Sequence, residues 1–153
     1  MGRYTATIRW QRGELPFESE RYSRAHEWQF DGGLRVPASA SPQIVPEPCS
    51  VAANVDPEEA FVAALSSCHM LFFLSLAAAA GIVVDEYVDE ADGVMRRDEA
   101  GRTAITRVTL RPRCRFPGGE PAREQLEALH ERAHEQCFIA NSVRTEVRVE
   151  LGD

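Results

Sequence analysis

The sequence predicts an α+β fold in which antiparallel sheets surround two long central helices. Three observations carry this. Both ends of the chain alternate apolar and polar residues, as strands with one solvated face do. The run from Ala60 to Ala80 contains no Asp, Glu, Lys or Arg. The segment from Pro121 to Ala140 has helical spacing, with Leu126, His130, Ala133 and Cys137 on one face. At 153 residues the chain fits a single domain, 1–153, with one core.

The elements follow in order. Tyr4 to Trp10 sets Tyr4, Ala6, Ile8 and Trp10 against Arg3, Thr5, Thr7 and Arg9, a strand with one dry face. After a loop holding Gly13 and Pro16, Arg21 to Phe30 alternates again, with Tyr22, Arg24, His26, Trp28 and Phe30 together. That mixed face describes a surface that is covered yet keeps a charge. Asp31 to Gly33 is a turn and Leu34 to Val36 a short strand. Pro37 to Asn54 is a loop with four prolines, of a length that is often functional. Asp56, Pro57 and Glu59 form a helix start: Asp caps, Pro suits the first turn, and Glu stands three residues after the cap. Gly81 ends that helix. Val83 to Arg97 and Arg102 to Phe116 read as an antiparallel hairpin joined by Asp98 to Gly101. Pro117 to Gly119 breaks the pattern before the second helix, and Val143 to Leu151 alternates as a final strand.

Composition excludes several classes. Hydrophobic residues make up 44% and charged residues 27%, proportions of a soluble globular chain rather than a disordered one. A net charge of −7 with no basic run offers no phosphate footprint and argues against nucleic acid. The apolar run from Ala60 to Ala80 is long enough to span a membrane. It carries Ser66, Ser67, His69 and Ser75 and lacks flanking Lys or Arg anchors, so a helix buried in a soluble fold is expected instead. A helix apolar all round must be covered on every side, by a sheet and another helix or by a second subunit. The N-terminus has no basic segment leading into an apolar one, so a cytoplasmic, reducing location is expected, with free thiols rather than a disulfide framework.

Four cysteines are present, and two, Cys68 and Cys137, stand on the helical segments. A mid-helix thiol is ordinarily a small inert hydrophobe; to react it needs a positive or hydrogen-bonding neighbour that favours the thiolate. Two such cysteines on inward faces of two helices that pack centrally suggest a peroxide-reducing pair, one attacking and the other resolving the sulfenic acid as a disulfide. Cys49 and Cys114 carry no expected role. A competing motif stands on the second helix: HERAH, residues 130–134, fits the H-E-x-x-H pattern of zinc proteases, with Glu131 as base and Cys137 within reach as a third ligand. The motif is short and arises often by chance, so histidines packing on a helix surface are expected instead, and no metal.

Taken together, DPEEAFVAALSSCHM and HERAHEQCFIANSV resemble the motifs of the OsmC and organic hydroperoxide resistance (Ohr) family, and the likeness runs over nearly the whole chain. The resemblance implies an OsmC-like α+β fold built as an intertwined homodimer with sites at the subunit interface. It implies a thiol-dependent peroxidase that reduces organic hydroperoxides in stress defence, uses an external dithiol reductant and needs no cofactor. Carried over by position, Cys68 matches the peroxidatic cysteine, Cys137 the resolving one and Glu58 the family's glutamate. For the family's arginine, Arg24 and Arg21 stand in the corresponding region, Arg24 first because it shares a face with His26 and Trp28. Phe61, Phe72, Trp28 and Phe138 would form an apolar rim for the peroxide. The Cys-His-Met sequence departs from the family's usual pattern. Glu58 and Cys68 are ten residues apart on one helix, about 15 Å along its axis, so an arginine or a second subunit must bridge them. A non-catalytic or ligand-binding member of the same fold, and a zinc-dependent hydrolase using HERAH, remain the alternatives.

Overall fold

The structure is a computed structural model that describes residues 1–152. It has eight strands and two α-helices in the order β1 (Ala6–Arg9), β2 (His26–Phe30), β3 (Arg35–Ala38), α1 (Pro57–Ala79), β4 (Glu86–Asp89), β5 (Asp92–Arg97), β6 (Thr103–Leu110), β7 (Pro112–Arg115), α2 (Arg123–Gln136) and β8 (Glu146–Val149), with a 3-10 turn at Ala140–Ser142 before the last strand. The mixed α+β class expected from the sequence is the one observed. The chain divides into two compact units, Met1–Ala60 and the remainder from Phe61 onward.

The first unit is an antiparallel sheet in the order β1-β2-β3, with Ile8 opposite Trp28 and Trp28 opposite Val36. Two strands are shorter than their alternation predicts. Residues 21–25 leave the ladder because their polar groups are used locally: Trp10 Nε1 donates to the Ser23 carbonyl at 2.8 Å, and the Arg24 amide donates to the Cys49 carbonyl at 2.7 Å. Trp10, Phe17 and Tyr22 pack together, with Phe17 stacked on Tyr22 at 4.8 Å. The face of β1 expected to be dry is exposed, with Ile8 59% accessible. The proline-rich loop is tied to the sheet by a bridge between Ala38 and Val55.

The start of α1 is as the sequence describes. The Glu59 amide donates to Asp56 Oδ1 at 2.8 Å and the Asp56 amide to Glu59 Oε2 at 3.2 Å, a reciprocal cap that satisfies two amides the helix leaves unpaired. At the other end Gly81 has φ +73°, and the Ile82 amide reaches back to the Ala77 carbonyl at 2.9 Å. A residue with a side chain is strained in that left-handed conformation, which is why glycine closes the helix there.

In the second unit the expected hairpin is present but split into two ladders. β5 pairs with β6 and β4 with β7, both antiparallel. The bend falls at Arg111, whose amide donates to Asp89 Oδ1 at 2.6 Å and whose guanidinium pairs with Asp92 and, at 3.1 Å, with Glu150. The next residue, Pro112, has no N–H to continue the ladder. β8 adds to β6 in parallel, not antiparallel as expected, because α2 carries the chain back across the sheet between them, the connection a parallel pair requires. Gly93 lets β5 approach α1 closely: a Cβ there would stand 2.7 Å from Val62 Cγ2. α1 buries Leu65, His69, Phe73 and Ala77, one stripe at intervals of four. Phe73 and Ala77 pack with Leu126, Leu129 and Ala133 of α2, while Leu65 packs with Val108 and Leu110 of β6. By length and composition α1 could cross a membrane; here its buried stripe is part of a protein core.

Candidate functional site

The residue types around Cys68 and Cys137 are set by how α1 and α2 meet. Cys68 lies beside the buried stripe of α1 and is partly accessible, whereas Cys137 is 1% exposed. The helix predicted to run to Ala140 ends earlier, at Gln136, and Cys137 is its C-cap, with φ −64° and ψ 107°. The expected inward face is observed: Leu126, His130, Ala133 and Cys137 are all buried. What fixes the chain after Cys137 is the rest of the motif. The Asn141 side-chain amide donates to the Glu135 carbonyl at 3.0 Å, Ser142 Oγ to the Phe138 carbonyl at 2.6 Å, and the Ala140 amide to Cys137 Sγ at 3.4 Å.

The two thiols are neighbours, and both are free. Burial, reinforced by the neighbouring Cys68, pushes the Cys137 thiol up to about 11. Cys137 is therefore a protonated thiol at neutral pH, held against a more accessible partner. Cys114 is also pushed up to about 11, by burial alone. Phe72 and Phe138 meet edge to face at 4.9 Å. Of the expected aromatic rim these two are brought together, Phe61 packs instead with the Leu65 cluster, and Trp28 donates to His26 Nε2 at 2.9 Å in the first unit.

The remaining expected site residues belong to the first unit. Glu58 is in the first turn of α1. Arg24 caps its own loop: its guanidinium donates to the carbonyls of Glu20 and Tyr22 and lies over the Tyr22 ring, 3.8 Å from its centroid. This is how the mixed face of that segment keeps a charge, through carbonyl oxygens and a ring face instead of a carboxylate. The Arg21 carbonyl accepts from Cys49 Sγ at 3.6 Å.

Sequence reasoning missed the pairing of His69 with His130. Their rings are hydrogen bonded, Nε2 to Nδ1 at 2.9 Å, lie 3° from parallel, and are 1% and 4% exposed. Phe73 stacks on the His130 ring at 4.1 Å. Burial lowers both histidines to about 4, helped by His134 for His69 and by His69 for His130. The signal available in the sequence was a histidine in each inward stripe, at positions where a buried imidazole needs a partner. This pairing also engages the first histidine of HERAH. His130 Nδ1 is taken by His69, Glu131 is exposed, and among the described residues no group of three or more His, Cys, Asp or Glu side chains is placed to hold a metal ion. His130 and His134 line a groove of about 430 Å³ between α2 and β8, walled on the other side by Val147, Val149 and Leu151.

A capped apolar helix bears Cys68, and the end of a second helix brings Cys137 beside it. The family described as OsmC-like protein matches residues 51–152, and the chain belongs to that family. It is 53% identical to an OsmC-like protein of unknown function from Vibrio cholerae, with a TM-score of 0.97 over 99% of this chain and 100% of that one. It shares its fold with two proteins described as organic hydroperoxide resistance proteins. One is OhrB of Bacillus subtilis, at 22% identity and a TM-score of 0.70 over 99% and 98% of the two chains. The other is from Elizabethkingia anophelis, at 20% identity and a TM-score of 0.71 over 99% and 94%. No functionally curated protein matches the chain.

Proposed function

We propose that the protein is a thiol-dependent peroxidase that reduces organic hydroperoxides, with Cys68 as the attacking cysteine and Cys137 as the resolving one. The observation that carries this reading is the placing of two free thiols side by side, one partly accessible and one buried. The Cys68 thiolate attacks the distal oxygen of the hydroperoxide; the S–O bond forms, the O–O bond breaks, and the alkoxide takes a proton and leaves as an alcohol. The Cys137 thiol then displaces water from the sulfenic acid, giving the Cys68–Cys137 disulfide. An external dithiol reduces that bond by two exchange steps and is itself oxidised to a disulfide. The roles of activating arginine and of the glutamate that positions it are assigned, from the family resemblance alone, to Arg24 or Arg21 and to Glu58. Phe72 and Phe138 favour an organic group on the peroxide.

The reading includes a homodimer, a cytoplasmic location and no bound cofactor. The relatives described as hydroperoxide resistance proteins support the substrate class, since they share this fold. The test is steady-state reduction of cumene hydroperoxide with dihydrolipoamide as the reductant. Turnover by the native chain, lost in Cys68→Ser, is the expected result. Equal rates for the two proteins contradict the reading.

A further inference from the structure

We infer that His69 and His130 are positioning residues whose hydrogen bond sets the alignment of α1 and α2 in which Cys68 meets Cys137. The inference builds on the proposed reading, but it concerns the thiol pair and not the peroxide.

The two helices touch through rungs that come in opposite order along the chain. Cys68 meets Cys137, while His69 and Phe73 meet His130, seven residues earlier on α2. α1 and α2 are therefore antiparallel neighbours, and a slide of one along the other would part the sulfurs. Most of the contact is apolar: Phe73 and Ala77 against Leu126, Leu129 and Ala133. Contacts of that kind are non-directional and tolerate repacking when volume is kept. A disulfide tolerates little: its Cβ atoms must come to within about 4.5 Å of one another. The His69–His130 bond supplies the missing direction. It is 2.9 Å long between rings 1% and 4% exposed, and a slide would leave two imidazole nitrogens buried without a partner. The position of each histidine suits the task. His69 directly follows Cys68, and His130 shares the buried face of α2 that ends at Cys137. Phe73, stacked at 4.1 Å on His130, holds the second ring in its plane.

The test is the equilibrium of the thiol pair with glutathione, which needs no peroxide. Glutathione disulfide oxidises Cys68 and Cys137 to one disulfide and releases two molecules of reduced glutathione. Four proteins are compared with the native chain. His130→Asn keeps a hydrogen-bonding group near the Nδ1 position and His69→Gln one near Nε2. His130→Leu removes one partner. The double variant His69→Leu/His130→Leu removes both, and so leaves no unpaired buried nitrogen to unfold it. Thermal unfolding of the reduced proteins is read alongside. The expected result is a disulfide-forming equilibrium constant about tenfold lower in His130→Leu and in the double variant, with the amide variants within about threefold of native. A double variant that melts as the native protein does and keeps its equilibrium constant within about threefold overturns the inference. If His130→Leu does not fold, the double variant decides. A shifted glutathione equilibrium in a chain whose Cys68 ignores cumene hydroperoxide would sink the peroxidase reading and leave the positioning role standing.

Discussion

At the scale of the residue, the molecule places two buried histidines beside the cysteines that the family resemblance singles out. His69 and His130 are buried as neutral rings, and burial lowers both to about 4. In the unfolded chain they titrate near 6.5, so as the pH falls the unfolded state takes up protons first. Stability is complete above about pH 6.5 and is lost as the pH falls from there to about 4, on the order of a few kcal/mol across that window. Urea unfolding at a series of pH values checks this, and His69→Leu/His130→Leu is expected to flatten the profile. Cys137 gives a second expectation at this scale. Cys137→Ser keeps the attacking thiol but cannot close the disulfide, so Cys68 is expected to stop at sulfenic acid and, with excess peroxide, to pass on to sulfinic acid. Mass addition of about one and then two oxygens reads the two stages.

At the scale of the element, the helix start was fully legible because its chemistry is local. Asp56 and Glu59 are three residues apart, and their reciprocal bonds need nothing from the rest of the chain. Asp56→Ala is expected to cost about 1 kcal/mol, measured by chemical unfolding. The end of α2 was not legible. Pro121 to Ala140 keeps a helical pattern throughout, yet the helix stops at Gln136, because Asn141 and Ser142 return hydrogen bonds to Glu135 and Phe138 and draw the chain into a tighter turn. Those bonds depend on the turn they create, so spacing could not announce them. The split hairpin has the same origin: Asp89 and Asp92 capture Arg111 from across the ladder, a contact between residues far apart in sequence. Gly93 marks a third such case. Nothing in a strand pattern says that β5 must pass so near Val62, and Gly93→Ala is expected to destabilise the fold by about 1–3 kcal/mol through overpacking. A drop in the urea midpoint with an unchanged slope is the sign of it.

At the scale of the whole molecule, the α+β class and the family were carried by patterns that survive without tertiary detail: alternation in the strands, an apolar capped helix, and two cysteine motifs read together. The thiol pair was legible only as two inward positions; their adjacency and the imidazole pair beside them required the fold. Exposure marks where the chain alone leaves the apolar demand unmet. Leu71 on α1 is 63% accessible and Phe138, beside the resolving cysteine, 69%, while α1 itself is apolar enough to require cover on every side. A second copy of the chain provides that cover in the reading proposed above. Sedimentation is expected to give a dimer, and Leu71→Lys to weaken it by about tenfold or more; a native chain that sediments as a monomer at micromolar concentration contradicts this part of the account.

The central claim, that Cys68 and Cys137 form one redox-active pair, is tested most directly by adding cumene hydroperoxide to the fully reduced protein and mapping the disulfides by mass. The account predicts rapid loss of two thiols per chain and a Cys68–Cys137 disulfide, neither of them seen in Cys68→Ser. Four thiols unchanged in excess peroxide, or a disulfide that joins other cysteines, would contradict it.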